Sequence, residues 1–298
     1  MKILVTGGTG FIGKHLIEAR LAEGDEVVCW SRNPSKVAEL FQGRVEAIRD
    51  LPPQDELAVD AVINLAGEPI ADQKWTEDRK QLLRASRIDL THELVGWIEA
   101  QTVKPKVLIS GSAIGYYGCH DDDKKLGEES LPNRGFTHTL CADWEAEALK
   151  AEAFGVRVCL IRTGVVLGDG GALSKMLLPF KLGLGGPIAS GKQWMSWIHI
   201  DDEIEIISML LTHDQLSGPF NLTSPNAATN AEFSKTLGKT LGRPAFMPMP
   251  GFVINLILGE GAELLVDGQR VYPEKLEEIG YKFHYPELSG AMYSAVNF

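Results

Sequence analysis

Short continuous apolar runs alternate with longer segments of mixed polarity over the first half of the chain. The apolar runs, typical of parallel strands covered on both faces, are residues 3–5, 26–30, 45–48, 60–65, 107–110 and 156–161. Apolar residues at helical spacing predict amphipathic helices at 11–24, 76–101 and 137–154. This alternation predicts an α/β fold with a doubly wound parallel sheet, Rossmann-like in its connections.

The alternation ends near residue 164. Beyond it the sequence predicts a glycine-rich loop, short strands and several helices, at 181–193, 197–200, 201–213, 218–223 and 230–241, with further helices to the end. We therefore expect a larger first domain over residues 1–164 and a smaller mixed region over 165–298, with the chain able to cross between the two. Within the first domain, the acidic and polar segment 119–134 predicts a mobile loop.

A glycine-rich turn separates the first predicted strand from the first predicted helix. Gly8, Gly10 and Gly13 fit G-x-G-x-x-G, and Gly7, Gly10 and Gly13 fit the variant G-x-x-G-x-x-G. Glycine lets the backbone turn tightly, approach a pyrophosphate closely and pack the helix on the strand, while the helix N–H groups face the anion. The context of strand, turn and amphipathic helix favours a dinucleotide site over an ordinary turn, the alternative interpretation.

The end of the second predicted strand indicates which dinucleotide is bound. About twenty residues past the glycines, NAD sites place an acid on the ribose 2′-hydroxyl, whereas an arginine there accommodates the 2′-phosphate of NADP. This chain has Ser31 and Arg32 at that point, with Lys36 nearby. We therefore predict NADP(H) as the cofactor; the alternative is that Arg32 is a solvated loop cation.

Composition excludes some partners. The 298 residues carry a net charge of −11, which argues against a nucleic-acid footprint or an anionic membrane surface. The four cysteines lack C-x-x-C spacing, which indicates free or buried thiols, so we expect neither disulfides nor a metal site. Free thiols suit a reducing compartment, and we therefore expect a cytoplasmic location. No membrane or secretion segment is predicted.

Several segments together carry a resemblance to a known family. TGGTGFIG (6–13), NLAGEPI (64–70), SGSAIGYYG (110–118), RTGVVLG (162–168) and SWIHIDD (196–202) occur in the same order as in the extended short-chain dehydrogenase/reductase superfamily. Over nearly its full length the chain resembles, within that superfamily, the YfcH-type epimerase-like family. The resemblance is specific for the family and says little about the reaction.

The resemblance implies roles for matching residues. The pyrophosphate would be held by Gly7, Gly10 and Gly13 and by the backbone of Thr9, Phe11 and Ile12. Ser31 and Arg32 would hold the 2′-phosphate. The remaining implied contacts are Leu65, Ala66 and Gly67 at the nicotinamide-side ribose, Thr163 at the carboxamide, and Ser112 as the catalytic hydroxyl. The other interpretation of Ser112 is a loop hydroxyl that satisfies local backbone.

The chain departs from the superfamily at the acid/base pair. Members typically have Tyr-x-x-x-Lys on the helix after the Ser112 loop, whereas residues 136–145 here are FTHTLCADWE. Two alignments are expected, placing Thr139 and Asp143, or Leu140 and Trp144, at the Tyr and Lys positions. Tyr116, close to Ser112, is the preferred substitute and thus a second candidate catalytic residue; His138 and Cys141 are less favoured.

Two functions remain compatible with these patterns. The first is an NADP(H)-dependent oxidoreductase or epimerase acting on a small polar substrate, with sugar nucleotides as one candidate class. The second is a catalytically inactive NADPH-binding module that regulates a partner or senses redox state. The chain is compatible with a homodimer or a monomer. Many superfamily members dimerise through helices that correspond to those predicted here at 76–101 and 137–154, and the amphipathic pattern of these helices also fits a monomer.

Overall fold

The architecture is given by a computed structural model that describes residues 1–120 and 122–297. Asp121, in the loop predicted at 119–134, and Phe298, the last residue of the predicted second region, lie outside the described residues. The strands are β1 (Lys2–Thr6), β2 (Glu26–Trp30), β3 (Glu46–Ile48), β4 (Ala61–Asn64), β5 (Val107–Ala113), β6 (Lys125–Leu126), β7 (Arg157–Thr163), β8 (Val165–Leu167), β9 (Trp194–Met195), β10 (Trp197–His199), β11 (Gly218–Leu222), β12 (Ala228–Thr229) and β13 (Arg270–Val271).

The helices that connect and cover these strands follow the chain in the same way. They are α1 (Phe11–Ala22), α2 (Pro34–Leu40), α3 (Glu77–Arg84), α4 (Leu90–Ala100), α5 (Phe136–Leu149), α6 (Gly171–Lys181), α7 (Ile200–Thr212), α8 (Asn230–Thr240), α9 (Gly251–Leu258), α10 (Glu263–Val266), α11 (Glu274–Glu278) and α12 (Leu288–Val296). Among the residues that the structure describes, no helix is both long and apolar enough to cross a membrane.

Seven of the described strands form one parallel sheet in the order β11-β7-β5-β4-β1-β2-β3. Side chains alternate between its two faces, as in β1, where Ile3 and Val5 pack in one core and Leu4 packs in the other. Helices α1 and α7 cover the first face, and α4 and α5 cover the second. The predicted doubly wound parallel sheet is confirmed.

The C-terminal part of the chain is divided between two cores. Ile200, Ile204 and Ile207 of α7 and Phe220 of β11 belong to the core of the main sheet. A separate apolar cluster packs α6, α8 and α12 around buried Trp197. The chain therefore crosses back into the main sheet after residue 165, and the smaller unit is built around β8, β10 and these three helices.

Two local predictions need correction. The helix predicted at 76–101 is α3 and α4 joined by one turn of π-helix, Ala85–Asp89. The predicted mobile loop at 119–134 contains β6, which pairs with β13, and Leu126 and Glu128 are buried. Acidic residues usually indicate an exposed loop, but Glu128 is buried here. Its carboxylate accepts hydrogen bonds from the backbone N–H groups of Asn221 and Lys275, which compensates for its burial.

Candidate functional site

The glycine turn joins β1 to α1 at the carboxyl edge of the sheet. Helix α1 begins at Phe11 with Gly10 as its N-cap, and the Gly10 N–H donates to the Gly7 carbonyl at 2.9 Å. A Cβ on Gly13 would lie 2.4 Å from that carbonyl oxygen. Only glycine at position 13 lets α1 lie this close to the turn. The N–H groups of the first helical turn, which include those of Phe11 and Ile12, have no partners within the helix and are oriented for an anion.

Gly7 brings the end of β4 against the same turn. Its φ of 70° is in the left-handed region, and a Cβ there would lie 2.5 Å from the Leu65 carbonyl. The Ala66 N–H donates to the Thr6 hydroxyl at 3.1 Å, which fixes the chain as it leaves β4. The residues predicted to contact pyrophosphate and those predicted to contact ribose, among them Leu65 and Ala66, are therefore neighbours across two adjacent strands.

A cavity of about 450 Å³ opens beside Ser31 and Arg32. Its lining consists of Trp30, Ser31, Arg32, Arg49, Asp50, Ala66, Gly67, Glu68, Ala85, Ser86, Asp89, Leu90 and Glu93. The Arg32 side chain is 90% exposed, and its Nη2 lies 3.0 Å from Glu68 Oε1. The charged groups of the lining are the guanidinium groups of Arg32 and Arg49 and the carboxylates of Asp50, Glu68, Asp89 and Glu93. Within this lining, the exposed guanidinium of Arg32 is the group available to a 2′-phosphate, which would compete with Glu68 for it.

The π-helical turn places Arg87 against the loop that follows β4. Its Nη2 donates to the Glu68 carbonyl at 2.9 Å, and its guanidinium lies 5.4 Å from the Trp144 ring centre. A Cβ on Gly67 would lie 3.0 Å from Arg87 Cζ, so the loop after β4 rests on this cation. Burial lowers the pKa of Arg87, with a nearby Arg79 acting in the same direction. No motif in the sequence announces the π-helical turn.

Ser112 lies at the end of β5 in a buried polar network. Its hydroxyl donates to Glu145 Oε1 at 2.6 Å, and Arg162 binds both oxygens of that carboxylate at 2.8 Å. Burial opposes the charge of Arg162, but the hydrogen bonds and charge of Glu145 outweigh it and hold the pKa of Arg162 above its ordinary value. Because the Ser112 proton is committed to Glu145, its oxygen presents lone pairs to a ligand rather than a donor.

The remaining donors of Arg162 organise the loop after β5. Its Nη1 donates to the Tyr117 hydroxyl at 3.1 Å and to the Glu128 carbonyl at 3.0 Å. The guanidinium carbon also lies 3.4 Å from the centre of the Tyr116 ring, a cation–π contact. One buried arginine therefore fixes both tyrosines of the loop, together with the residue that binds Ser112.

The two tyrosines differ in availability. Tyr117 is fully buried and donates to Asn221 Oδ1 at 2.7 Å, and burial raises its pKa to about 12. Tyr116 is half-buried, and its ring meets His138 edge to face at 5.4 Å. His138 Nδ1 lies 2.6 Å from the Tyr116 carbonyl oxygen, and since a carbonyl only accepts, that nitrogen carries the proton. Of the two tyrosines in the loop after Ser112, Tyr116 is therefore partly accessible and Tyr117 is buried.

The face of α5 that meets β5 corrects both expected alignments of the missing pair. Thr139 is exposed and Leu140 packs with Trp75, while Asp143 pairs with Arg84 at 2.7 Å. Trp144 packs over Gly111 instead. Two other residues four apart on α5, Thr137 and Cys141, face the loop after Ser112.

Thr137 and Cys141 are the residues of α5 that flank the loop after Ser112. A Cβ on Gly115 would lie 3.2 Å from Thr137 Cβ and 3.6 Å from Cys141 Sγ. Burial raises the pKa of Cys141 to about 12, with Ser112 within hydrogen-bonding reach of the sulfur. A threonine and a neutral thiol therefore lie against Gly115 in the loop after Ser112, and neither supplies the charge of a lysine.

Thr163 is tied to a buried acid. Its hydroxyl donates at 2.8 Å to Oε1 of Glu203, which lies in the first turn of α7. Glu203 is fully buried, and burial raises its pKa to about 8, with the Thr163 hydrogen bond opposing the shift. Among the described residues its Oε2 has no hydrogen-bond partner. Thr163 pairs with Ala113 across β7 and β5, so it lies beside the end of the strand that carries Ser112.

Three buried charged residues of the site, Glu145, Arg162 and Glu203, are not predicted as site residues by the sequence patterns. A usable signal existed for Arg162, which interrupts the largely apolar sequence 158–167, whereas Glu203 stands in the acidic run 201–203 at the start of α7. A charged residue at a buried position of the pattern is an indicator of a paired or perturbed group.

Comparison with known proteins gives the family. The model of the NAD dependent epimerase/dehydratase family matches residues 3–223, and a domain of unknown function, DUF1731, matches residues 249–294. The epimerase family protein YfhF of Bacillus subtilis is 38% identical over 98% of this chain and 97% of its own length. The resemblance to the epimerase-like family is confirmed.

Solved structures support the same assignment. The human epimerase family protein SDR39U1 (isoform 2), crystallised with NADPH, has a TM-score of 0.89 at 36% identity, with 100% of both chains covered. A structure titled nucleoside-diphosphate sugar epimerase from Corynebacterium glutamicum has a TM-score of 0.79 at 30% identity over 99% of this chain and 58% of that one. The chain belongs to the NAD dependent epimerase/dehydratase family.

Proposed function

We propose that the protein binds NADP(H) and uses it in an oxidoreductase or epimerase reaction on a small polar alcohol or carbonyl compound. The observation that carries the cofactor is the cavity beside Arg32, which extends from an accessible guanidinium to Ala66, and Gly7 of the glycine turn packs against the backbone of Leu65 and Ala66. The human relative whose structure holds NADPH matches along the entire chain, which supports the same cofactor here.

Each part of the cofactor has residues that suit it. The pyrophosphate lies at the N-terminus of α1, against the backbone of residues 9–13 and the glycines at 7, 10 and 13. Ser31 and Arg32 hold the 2′-phosphate, and Leu65, Ala66 and Gly67 contact the nicotinamide-side ribose. Thr163, fixed by Glu203, contacts the carboxamide. Bound in this way, the cofactor supplies a hydride donor or acceptor at the Ser112 end of the cleft.

The residues at that end orient a substrate oxygen. Ser112 donates to Glu145, so its oxygen accepts a hydrogen bond from a substrate hydroxyl. Tyr116 contributes a phenol, and the contact of its ring with Arg162 at 3.4 Å restricts its orientation. Residues 165–298 cover the substrate. Because the Corynebacterium relative is titled a nucleoside-diphosphate sugar epimerase, sugar nucleotides are the first class of substrate to test.

A second candidate function is a regulatory or redox-sensing module that binds NADPH without turnover. The observation that favours it is the pair Thr137 and Cys141, which provides no phenol and no ammonium group on α5. Under this function Tyr116→Phe and Ser112→Ala leave NADPH-dependent partner binding intact, whereas under the first they abolish turnover.

The compartment is a proposal from thiol chemistry. Cys29, Cys119, Cys141 and Cys159 are all free. Free thiols persist in reducing compartments, and we propose the cytoplasm.

The test of the cofactor is a fluorescence titration of the purified chain with NADPH and NADH. We expect NADPH to bind at least about tenfold more tightly, equivalent to about 1.4 kcal/mol, and Arg32→Ala to abolish that preference. Arg44→Ala is the matched control, because Arg44 is a surface arginine paired with Glu18. Equal affinity of the wild type for both nucleotides would refute the role of Arg32, and no binding of either would refute the proposed function.

A further inference from the structure

Large apolar side chains are exposed on neighbouring parts of the C-terminal region. Six residues, each more than half exposed, form this apolar surface: Leu182, Leu184, Phe246, Phe252, Leu256 and Ile257. They lie on the loop after α6, on the loop before α9 and on α9 itself. Single exposed apolar residues are ordinary in soluble proteins, whereas a contiguous group marks a surface that contacts a partner.

Backbone hydrogen bonds make the group contiguous. The Met247 N–H donates to the Gly185 carbonyl at 3.2 Å, and the Met249 N–H donates to the Pro187 carbonyl at 2.9 Å. The two loops therefore run side by side, and α9 follows directly at Gly251.

Helix α9 presents an uncharged face to solvent. Its sequence, GFVINLIL, has no charged residue and falls within the DUF1731 match. Ile254 packs inward, whereas Phe252 and Leu256, one helical turn apart, are both more than 70% exposed. Side chains that project this far can be buried by a partner without any change in the fold.

The chain around the apolar surface is basic, in contrast to the chain as a whole. Residues 171–200 and 233–259 contain no aspartate or glutamate, and their cations are Lys175, Lys181, Lys192, Lys235, Lys239 and Arg243. Lys175 pairs with Asp72. The other five are exposed, and within residues 1–120 and 122–297 none of them forms a salt bridge. The net charge of −11 therefore conceals a local excess of positive charge.

The acids that border these two segments have partners of their own. Glu260 pairs with Lys80 at 2.6 Å. Glu232 accepts hydrogen bonds from the N–H and the hydroxyl of Thr229, both at 2.8 Å, in the cap of α8.

The free cations stand next to the apolar surface. Lys181 directly precedes Leu182 in the chain. The loop that carries Arg243 lies against the end of α8, because a Cβ on Gly238 would lie 2.9 Å from the Arg243 carbonyl oxygen. Lys239, in the last turn of α8, is therefore close to the same loop.

We propose that the apolar surface docks on a lipid membrane whose surface is anionic, with α9 lying in the plane of the headgroups. The inference does not rest on the proposed function. Helices with an exposed apolar face lie at the boundary between headgroups and acyl chains, and nearby lysines and arginines are attracted to anionic lipids. The expectation against an anionic membrane follows from the net charge of the whole chain, and the local charge here has the opposite sign.

Charge favours a membrane over a second copy of the chain and over another protein. A two-fold dimer through the apolar surface brings the cations of both copies together, and like charges repel. Lysine is depleted from the cores of protein–protein interfaces, yet Lys181 lies between the exposed Leu178 and Leu182 in the chain. At a membrane its long side chain extends to the headgroups while the leucines are buried.

The first test measures binding of the full chain to vesicles by co-sedimentation. With phosphatidylcholine vesicles that contain about one third phosphatidylglycerol, we expect binding at least about tenfold tighter than to phosphatidylcholine alone. Leu256→Gln should weaken that binding about tenfold, because a large apolar side chain no longer enters the bilayer. Leu131→Gln is the matched control, since Leu131 is 85% exposed outside the apolar surface, and it should bind like the wild type.

A second pair of variants tests the charge. Lys181→Glu should weaken binding to the anionic vesicles about tenfold, and the difference should shrink at high salt. Lys282→Glu is the matched control, because Lys282 is exposed and, in the part of the chain that the structure describes, also forms no salt bridge. Urea denaturation checks that all four variants keep the stability of the wild type.

Several results overturn the proposal. One is a wild type that leaves both kinds of vesicle unbound or binds them equally. Another is binding to the anionic vesicles that neither Leu256→Gln nor Lys181→Glu weakens. A dimer in sedimentation equilibrium that Leu256→Gln dissociates assigns the surface to a second copy, and binding of polyglutamate in place of vesicles assigns it to an acidic protein. The NADPH titration tests the proposed function separately.

Discussion

The two ends of the cleft are built from different interactions. At the adenosine end, backbone atoms and one exposed cation form the site: Gly7 and Gly13 permit close approach, and Arg32 extends into a cavity of about 450 Å³. At the Ser112 end, buried charges and hydroxyls form it, with Glu145 held between Ser112 and Arg162. The first end therefore depends on local chain geometry, and the second depends on pairs of residues far apart in the sequence.

This difference predicts opposite costs for mutation at the two ends. A substitution in the glycine turn removes ligand binding at a modest cost in folding, because little charge is buried there. A substitution in the buried network mainly lowers the free energy of unfolding, because leaving one charge unpaired in the interior costs more free energy than the pair contributed to stability. Measurements of unfolding free energy beside NADPH affinity separate the two effects.

The largest expected effect is that of Glu145→Gln. The change leaves the buried guanidinium of Arg162 without its bidentate partner, and we expect a loss of about 3–5 kcal/mol in the free energy of unfolding, measured by urea denaturation. The matched control is Asp143→Asn on the same helix, whose pair with Arg84 is about 40% exposed on both sides and is expected to contribute less than about 1 kcal/mol. Equal losses in the two variants would contradict the contrast between the ends.

The second expected effect is a pH dependence caused by Glu203. Its pKa is about 8 in the folded chain against an ordinary value of 4.5, so the acid stays protonated in the native state while the unfolded chain ionises. The stabilisation is complete below the unfolded pKa and is lost as pH rises through the folded pKa. Between about pH 5 and pH 8 the wild type should lose about 3–4 kcal/mol of unfolding free energy through this group.

Glu203→Gln removes that contribution, so its unfolding free energy should depend less steeply on pH than that of the wild type. Asp214→Asn, a change at a side chain 91% exposed, serves as the control and should keep the slope of the wild type. Parallel slopes for the wild type and Glu203→Gln over the same range would show that the acid is ionised in the folded protein.

The sequence predicts the adenosine end of the cleft better than the Ser112 end. The strands, the glycine turn and Arg32 were accessible because period, glycine and strand ends are local signals. The partners of Ser112 were not, because Glu145 and Arg162 meet only when α5 and β7 pack side by side. Their distances along the chain, 33 residues from Ser112 to Glu145 and 17 from Glu145 to Arg162, leave no motif.

The alignment of α5 failed for a related reason. Matching the chain to Tyr-x-x-x-Lys relies on residues that α5 does not contain, so one register could not be preferred over another. Contact with Gly115 selects Thr137 and Cys141, and this depends on how closely the loop approaches the helix. The π-helical turn before α4 is likewise a tertiary feature, stabilised by the bonds of Arg87 to the Glu68 and Leu83 carbonyls.

The smallest expected effect on folding lies at the glycine turn, where the effect on binding is large. Gly13→Ala places a methyl group 2.4 Å from the Gly7 carbonyl oxygen, so α1 must shift, at a cost of about 1–3 kcal/mol in unfolding free energy. The shift moves the N–H groups that face the pyrophosphate, and NADPH affinity should fall by at least about 100-fold.

The control for this prediction is a glycine with space around it. Gly96 lies within α4 and has no atom within 4 Å of a Cβ built on it, so Gly96→Ala should stabilise the helix by about 0.5–1 kcal/mol and leave NADPH binding unchanged. Fluorescence titration and urea denaturation of both variants measure the two quantities. If Gly13→Ala retained the NADPH affinity of the wild type, the turn would not contact the pyrophosphate, and the contrast between the two ends of the cleft would lose its basis.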